Sequence, residues 1–279
     1  MLKVDFLNVG KGNCTVILFP SGRLTVVDID NSRIDDKEET LQCPIDFIRN
    51  NYREKDIFRF ILTHPDMDHM SGLAELIKHK TIYNFWDTDH EKEVDADNMH
   101  LGGYDSADWK AYQKLRVSSS EPKAHKILRD ESSDFWNQDN IEVLSPTKKL
   151  IDLAKDSEEH NHLSYVLKIQ HRGISILLGG DATKDAWQDI YEHYGKDKLK
   201  ADVFLAPHHG SPDNINEDVF QHIKPKYVIV SDHEGHKYDY AYYNKLASVR
   251  VCSTKHHGNI SLSIGPEEQT IVSERNWTK

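Results

Sequence analysis

An apolar run, Ile57–Leu62, leads directly into Thr63-His64-Pro65-Asp66-Met67-Asp68-His69. A strand that ends in two imidazoles and two carboxylates must supply partners for them, because unpaired charge beside a buried strand is costly. In a tight loop, positions 64, 66, 68 and 69 can face one small volume. Neutral imidazole and carboxylate suit divalent zinc, manganese or iron. One ion rarely takes its whole shell from a single hexapeptide. Two ions about 3.5–4 Å apart would use all four, with other segments completing each shell. The chain must therefore fold so that distant segments end beside this loop.

Short runs rich in Val, Ile and Leu read as strands at 4–9, 14–19, 24–29, 57–62, 141–144, 165–170, 174–178, 202–206, 226–231, 249–252, 260–264 and 270–272. Helices are expected at 44–53, 72–79, 184–194, 215–223 and about 240–247, and a loop-and-helix insertion at about 86–140. A weak internal repeat runs through this order. The first half gives strand, Gly turn, strand ending in Asp28, helix, and strand ending in His64. The second gives strand, Gly turn, strand ending in Asp181, helix, and strand ending at His208-His209. Two such β-α layers facing each other would gather these ends at one edge. The expected fold is an α/β, four-layer αββα sandwich in a single domain, 1–279, with its polar site along the sheet edges.

Asp181 follows Ile176-Leu177-Leu178-Gly179-Gly180, where two glycines permit close approach; it either bridges two metals or caps the helix that follows. Of His208 and His209, one is a candidate ligand and its neighbour a proton donor or substrate contact. His162 is a candidate ligand, although His160-Asn161-His162 also suits a turn. His236 is a candidate for contacting a phosphate or protonating a leaving group.

Composition narrows the class. The chain has 35 Lys+Arg against 46 Asp+Glu, a net charge of −11, which disfavours non-specific grip on a nucleic-acid backbone. Catalysis on phosphate esters stays open, because bound metals supply positive charge locally. The cysteines, Cys14, Cys43 and Cys252, form no framework and no C-x-x-C pair. With no apolar run of membrane-spanning length and no signal-peptide pattern at the start, the expected location is the cytoplasm.

The ordered motifs resemble the metallo-β-lactamase fold superfamily, and within it the metallo-hydrolase domain of the bacterial DNA-uptake protein ComEC. The resemblance rests on residues 6–14 (FLNVGKGNC), 26–30 (VVDID), 63–72 (THPDMDHMSG), 161–169 (NHLSYVLKI), 176–182 (ILLGGDA), 205–211 (LAPHHGS), 228–232 (VIVSD) with Gly235-His236, and 255–264 (KHHGNISLSI). It covers nearly the whole chain outside 86–140. It implies metal ligands at His64, Asp66, Asp68, His69, Asp181 and one of His208 and His209, with His209 favoured. His162 departs from the usual Asn of the family. Asn13 stands where the early motif usually carries an acid, and Lys237 follows His236 in place of Pro. No channel segment is present, so a standalone soluble version is expected.

The resemblance implies a metallo-hydrolase with two divalent ions, zinc or manganese, acting as a phosphodiesterase or nuclease on DNA by two-metal activation of water. In that mechanism Asp68 orients or deprotonates the water, and His236 or His208 protonates the leaving oxygen. Lys11, Lys184, Lys237 and Lys255 lie beside motifs and are the candidate backbone contacts. Two alternatives stand beside it: a hydrolase of small phosphodiester, lactone or thioester substrates, and a non-catalytic, metal-stabilised partner subunit. Nucleic acid or a small phosphodiester is the expected partner, with no membrane.

Overall fold

The computed structural model describes residues 1–34, 40–94, 103–232, 242–244, 249–267 and 269–275. The first sheet takes its strands mostly from the N-terminal half: β1 (Leu2–Phe6), β2 (Thr15–Leu18), β3 (Leu24–Val27), β4 (Ile57–Ile61), β5 (Ile82–Asp87) and β6 (Lys123–Lys126). The second holds β7 (Ile141–Ser145), β8 (Val166–His171), β9 (Ile174–Leu178), β10 (Val203–Leu205), β11 (Tyr227–Val230) and β12 (Arg250–Ser253). The chain then returns to the first sheet with β13 (Ile260–Ile264) and β14 (Gln269–Ser273). The spatial orders are β14-β13-β1-β2-β3-β4-β5-β6 and β12-β11-β10-β9-β8-β7.

Period-2 alternation builds the layers. In β1, Val4 and Phe6 join the apolar cluster between the sheets, while Asp5 between them accepts from Tyr52 and Ser261. In β8, Leu167 and Ile169 face that same inner cluster, whereas Val166 joins the outer one. Each fully buried aliphatic side chain there contributes about 1.5–3 kcal/mol. The helices α1 (Pro44–Asn51), α2 (Leu73–His79) and α3 (Ser106–Leu115) cover the outer face of the first sheet through Ile48, Leu76 and Tyr112. On the outer face of the second, α6 (Lys184–Leu199) and α7 (Glu217–Ile223) pack through Trp187, Ile190 and Phe220. The shorter α4 (Asp134–Asn137), α5 (Lys148–Ser157) and α8 (Thr254–His257) fill the connections. This is the expected four-layer αββα order, and the strand–Gly turn–strand–helix–strand units recur at β2-β3-α1-β4 and β8-β9-α6-β10.

Residues 86–140 correct the expectation of a loop-and-helix insertion. Trp86 and Asp87 complete β5, and β6 pairs with it in parallel at the sheet edge. Edge strands need no apolar alternation, so Lys123-Ala124-His125-Lys126 carries no strand pattern. The helix α3 is anchored as well. The backbone N–H groups of Gly72 and Ala74 both donate to the Asp108 carboxylate at 2.8 Å, so α3 caps the start of α2. The expected α6 end at 194 also moves: the helix continues to Leu199 past a break at Gly195, where φ is +70°. Most of the helix expected at 240–247 lies outside the described residues.

Candidate metal centre

The hexapeptide leaves β4 and folds into a short 3-10 turn, Met67–His69, held down from both sides. The N–H of Ile29 donates to His69 O at 3.0 Å, and that of Asn13 to Asp68 O at 3.3 Å. A side chain at position 12 is impossible, because a Cβ there would sit 1.8 Å from Asp68 O. Glycine at this point lets the first loop lie directly against the hexapeptide.

Asp28, just past β3, organises the loop. Thr63 donates to it from N at 2.7 Å and from Oγ1 at 2.8 Å, and His69 donates from Nδ1 at 2.8 Å. That bond fixes the His69 tautomer and aims Nε2 inward. His64 is set the same way, its Nδ1 lying 3.1 Å from Thr63 Oγ1. Asp28 takes a left-handed backbone, φ +56°, as do His208 at +47° and His209 at +55°. Such conformations cost about 1–3 kcal/mol each and persist where surrounding contacts enforce them.

The second sheet brings one residue from each of two strand ends. Past β9, Gly180 has φ +51°, and Asp181 N donates to Ser164 Oγ at 3.2 Å. Past β10, His208 N donates to Gly180 O at 3.0 Å, which ties the two strand ends together. Asp181 Oδ2 then lies 3.4 Å from His69 Nε2, 3.7 Å from His209 Nε2 and 4.0 Å from His64 Nε2. His209 Nε2 is also 3.7 Å from Asp68 Oδ2. Two ligand groups result, His64–His69–Asp181 and Asp68–His69–His209, which share His69.

The donor set fits divalent cations. Among the described residues, His64 Nε2, His69 Nε2 and Asp181 Oδ1 are buried with no hydrogen-bond partner. Buried polar atoms are normally satisfied, and a cation between these converging atoms would satisfy them. Without a cation, the carboxylates and imidazoles of the centre compensate one another's charge. Burial alone would raise the Asp66, Asp68 and Asp181 pKa values, yet the surrounding imidazoles hold all three below the usual carboxylate range. Burial alone would likewise lower the pKa of His69, but the Asp181 and Asp28 carboxylates hold it well above the ordinary value.

Of the candidates from sequence, His64, Asp68, His69, Asp181 and His209 meet in these two groups. Asp66 stands at the rim, its Oδ2 3.7 Å from His64 Nε2 and its Oδ1 2.5 Å from Lys92 Nζ. His208 is partly exposed, with Nδ1 3.0 Å from Asn214 Oδ1 and Nε2 4.0 Å from Asp181 Oδ2. His162 lies outside both groups; its Nδ1 is 2.7 Å from Thr183 Oγ1, at the cap of α6. His236 lies outside the described residues.

Asp30, Lys92 and the orienting role of Asp28 were missed. Asp28 and Asp30 sit in the Val26-Val27-Asp28-Ile29-Asp30 run, whose alternation marks both as facing one way. Asp30 accepts from Gly12 N at 2.9 Å, and burial pushes its carboxyl up to about 6. Lys92 carries no such signal. Of the expected cationic contacts, Lys11 stacks over Tyr104 and Lys184 lies 4.0 Å from Asp213.

Known proteins place this architecture. No known family profile matches the chain. ComE operon protein 3 of Bacillus subtilis (strain 168) is 28% identical over 211 residues, covering 74% of this chain and 24% of that protein. The chain thus spans about a quarter of that relative's length. Three solved structures share the arrangement at low identity. Tm1679, a metal-dependent hydrolase of the β-lactamase superfamily, superposes with TM-score 0.55 at 12% identity, over 95% of this chain and 100% of its own. YhfI of Bacillus subtilis, a metallo-β-lactamase fold protein, gives 0.54 at 11%, over 94% and 100%. Zn(2+)-bound PqqB of Methylobacterium extorquens gives 0.51 at 11%, over 95% and 100%. The chain has the metallo-β-lactamase fold. Among the described residues, no helix is long and apolar enough to cross a membrane.

Proposed function

We propose that the protein is a metal-dependent hydrolase, a phosphodiesterase acting on DNA that is single-stranded or in short pieces. The observation that carries this reading is the pair of ligand groups sharing His69, with buried, partnerless nitrogens aimed between them. His69, whose one free nitrogen can serve a single cation, would hold it together with His64 and Asp181; Asp68 and His209 would hold a second, with Asp66 at the rim. When bound, divalent ions supply Lewis acidity, which makes water acidic near neutral pH and offsets charge on phosphate oxygens.

The chain's own residues do the rest. Asp68 stays ionised, so it can accept a hydrogen bond from the attacking water and orient it. His208 is partly exposed and steadied by Asn214, a position suited to giving a proton to the leaving oxygen. His236 is the alternative donor. The DNA substrate rests on the motif resemblance to the ComEC metallo-hydrolase domain. The net charge of −11 favours a second reading, in which the same centre hydrolyses small phosphodiesters, lactones or thioesters.

The test joins metal analysis of the purified protein to assays on single-stranded DNA and small phosphodiesters. Cleavage depends on divalent metal, and Asp68→Ala or Asp66→Ala lowers it at least 100-fold. A metal-loaded protein that leaves DNA intact but hydrolyses a small ester would move the assignment to the second reading.

A further inference from the structure

Next to the ligand groups, the segment after β5 and the segment from α5 to Leu163 enclose a cleft of about 420 Å³. That volume lies within the usual range of about 300–1,000 Å³ for small-ligand sites. Its wall is apolar, formed by Ile151, Ala154 and Leu163. Opposite stand two imidazoles, His90 and His160, whose rings meet edge to face with centroids 6.3 Å apart. The His90 ring is fixed by Tyr112 on Nε2 and by Lys92 N, which donates to Nδ1 at 3.0 Å. Lys92 links the cleft to the rim of the ligand groups, its ammonium 2.5 Å from Asp66 Oδ1. Glu91, Glu93, Glu158 and Lys155 also line the cleft, with Lys155 Nζ 2.6 Å from Glu91 Oε1.

These parts select an occupant. The apolar wall and imidazole edges accept a flat heteroaromatic ring. An anion that enters competes with Asp66 for the Lys92 ammonium. Lys155 offsets Glu91, but Glu93 and Glu158 repel a further phosphate, so the cleft suits one phosphate-bearing unit rather than a continuing polyanion. We infer that it receives a single nucleotide unit flanking the scissile bond, its base against Ile151, Ala154 and Leu163 and its phosphate at Lys92. This assignment rests on the phosphodiesterase reading above and sets which part of the substrate enters first.

Calorimetric titration of the purified protein with thymidine 5′-phosphate, thymidine and inorganic phosphate tests it without turnover. The nucleotide binds at least tenfold more tightly than either fragment. Ala154→Trp fills the wall and weakens the nucleotide at least tenfold, while phosphate stays within twofold. Lys92→Met weakens nucleotide and phosphate but not thymidine. Metal content and thermal melting confirm each variant's fold, and the wild-type arms stand if Ala154→Trp misfolds. A nucleotide that binds no better than phosphate, or a folded Ala154→Trp that binds it normally, overturns the inference. A wild-type protein that binds the nucleotide yet cleaves no diester defeats only the phosphodiesterase reading.

Discussion

The two sheets furnish the candidate metal centre in opposite ways. The first sends a single loop, in which His64, Asp66, Asp68 and His69 follow one strand within six residues. Behind it lies a layer of supports: Asp28 on Thr63 and His69, and Asp30 on Gly12. The second sheet sends Asp181 and His209 alone, from the ends of parallel strands β9 and β10, steadied mainly by backbone contacts between those ends. One side is a local motif with its own scaffold. The other exists only when the sheet has formed.

If that contrast holds, the largest loss follows from the sparse side. Asp181 faces His64, His69 and His209 at 3.4–4.0 Å, and among the described residues no other carboxylate of its sheet joins the ligand groups. Asp181→Ala is expected to cut bound metal below a tenth of wild type, read by elemental analysis after dialysis. Full retention would show that the hexapeptide side suffices alone.

The next effect belongs to the supports. Asp30 keeps its proton up to about pH 6 in the folded protein, whereas the unfolded chain loses it near 4. Between those values the native state binds more protons, so stability falls as pH rises, by up to about 3 kcal/mol. In metal-free protein, Asp30→Asn flattens that decline in urea titrations run between pH 4 and 6. An unchanged slope would remove Asp30 from the supporting layer.

The smallest effect is on aim. Asp28→Ala leaves every ligand in place but frees the His69 ring. A loss of about 10–100-fold in metal affinity is expected, about 1.4–2.7 kcal/mol, measured by competition with a chelator. A loss well beyond 100-fold would make Asp28 more than a support.

The same contrast explains what was legible. The hexapeptide announces itself because four ligand types crowd beside an apolar strand. Asp181 was readable from the glycines before it and from the repeat of strand, turn and helix; the repeat left His208 and His209 open, and the family resemblance favoured His209. The layer order followed from the same repeat, because two matching β-α layers can bury their apolar strands only against each other. The segment between β5 and β7 resisted because its information is not periodic. The strand β6 is a polar edge, and β5 carries exposed Tyr83 beside buried Phe85. Lys92 meets Asp66 across 26 positions, a pairing that no local pattern encodes.

The Asp108 carboxylate, gripping Gly72 and Ala74, makes that polar segment a fastener for the reactive loop. Trimming residues 106–115 to obtain a smaller protein would also release the helix that follows His69. What looks like ornament in the sequence therefore serves as a bolt, and shortening the chain there would loosen the chemistry some 40 positions upstream.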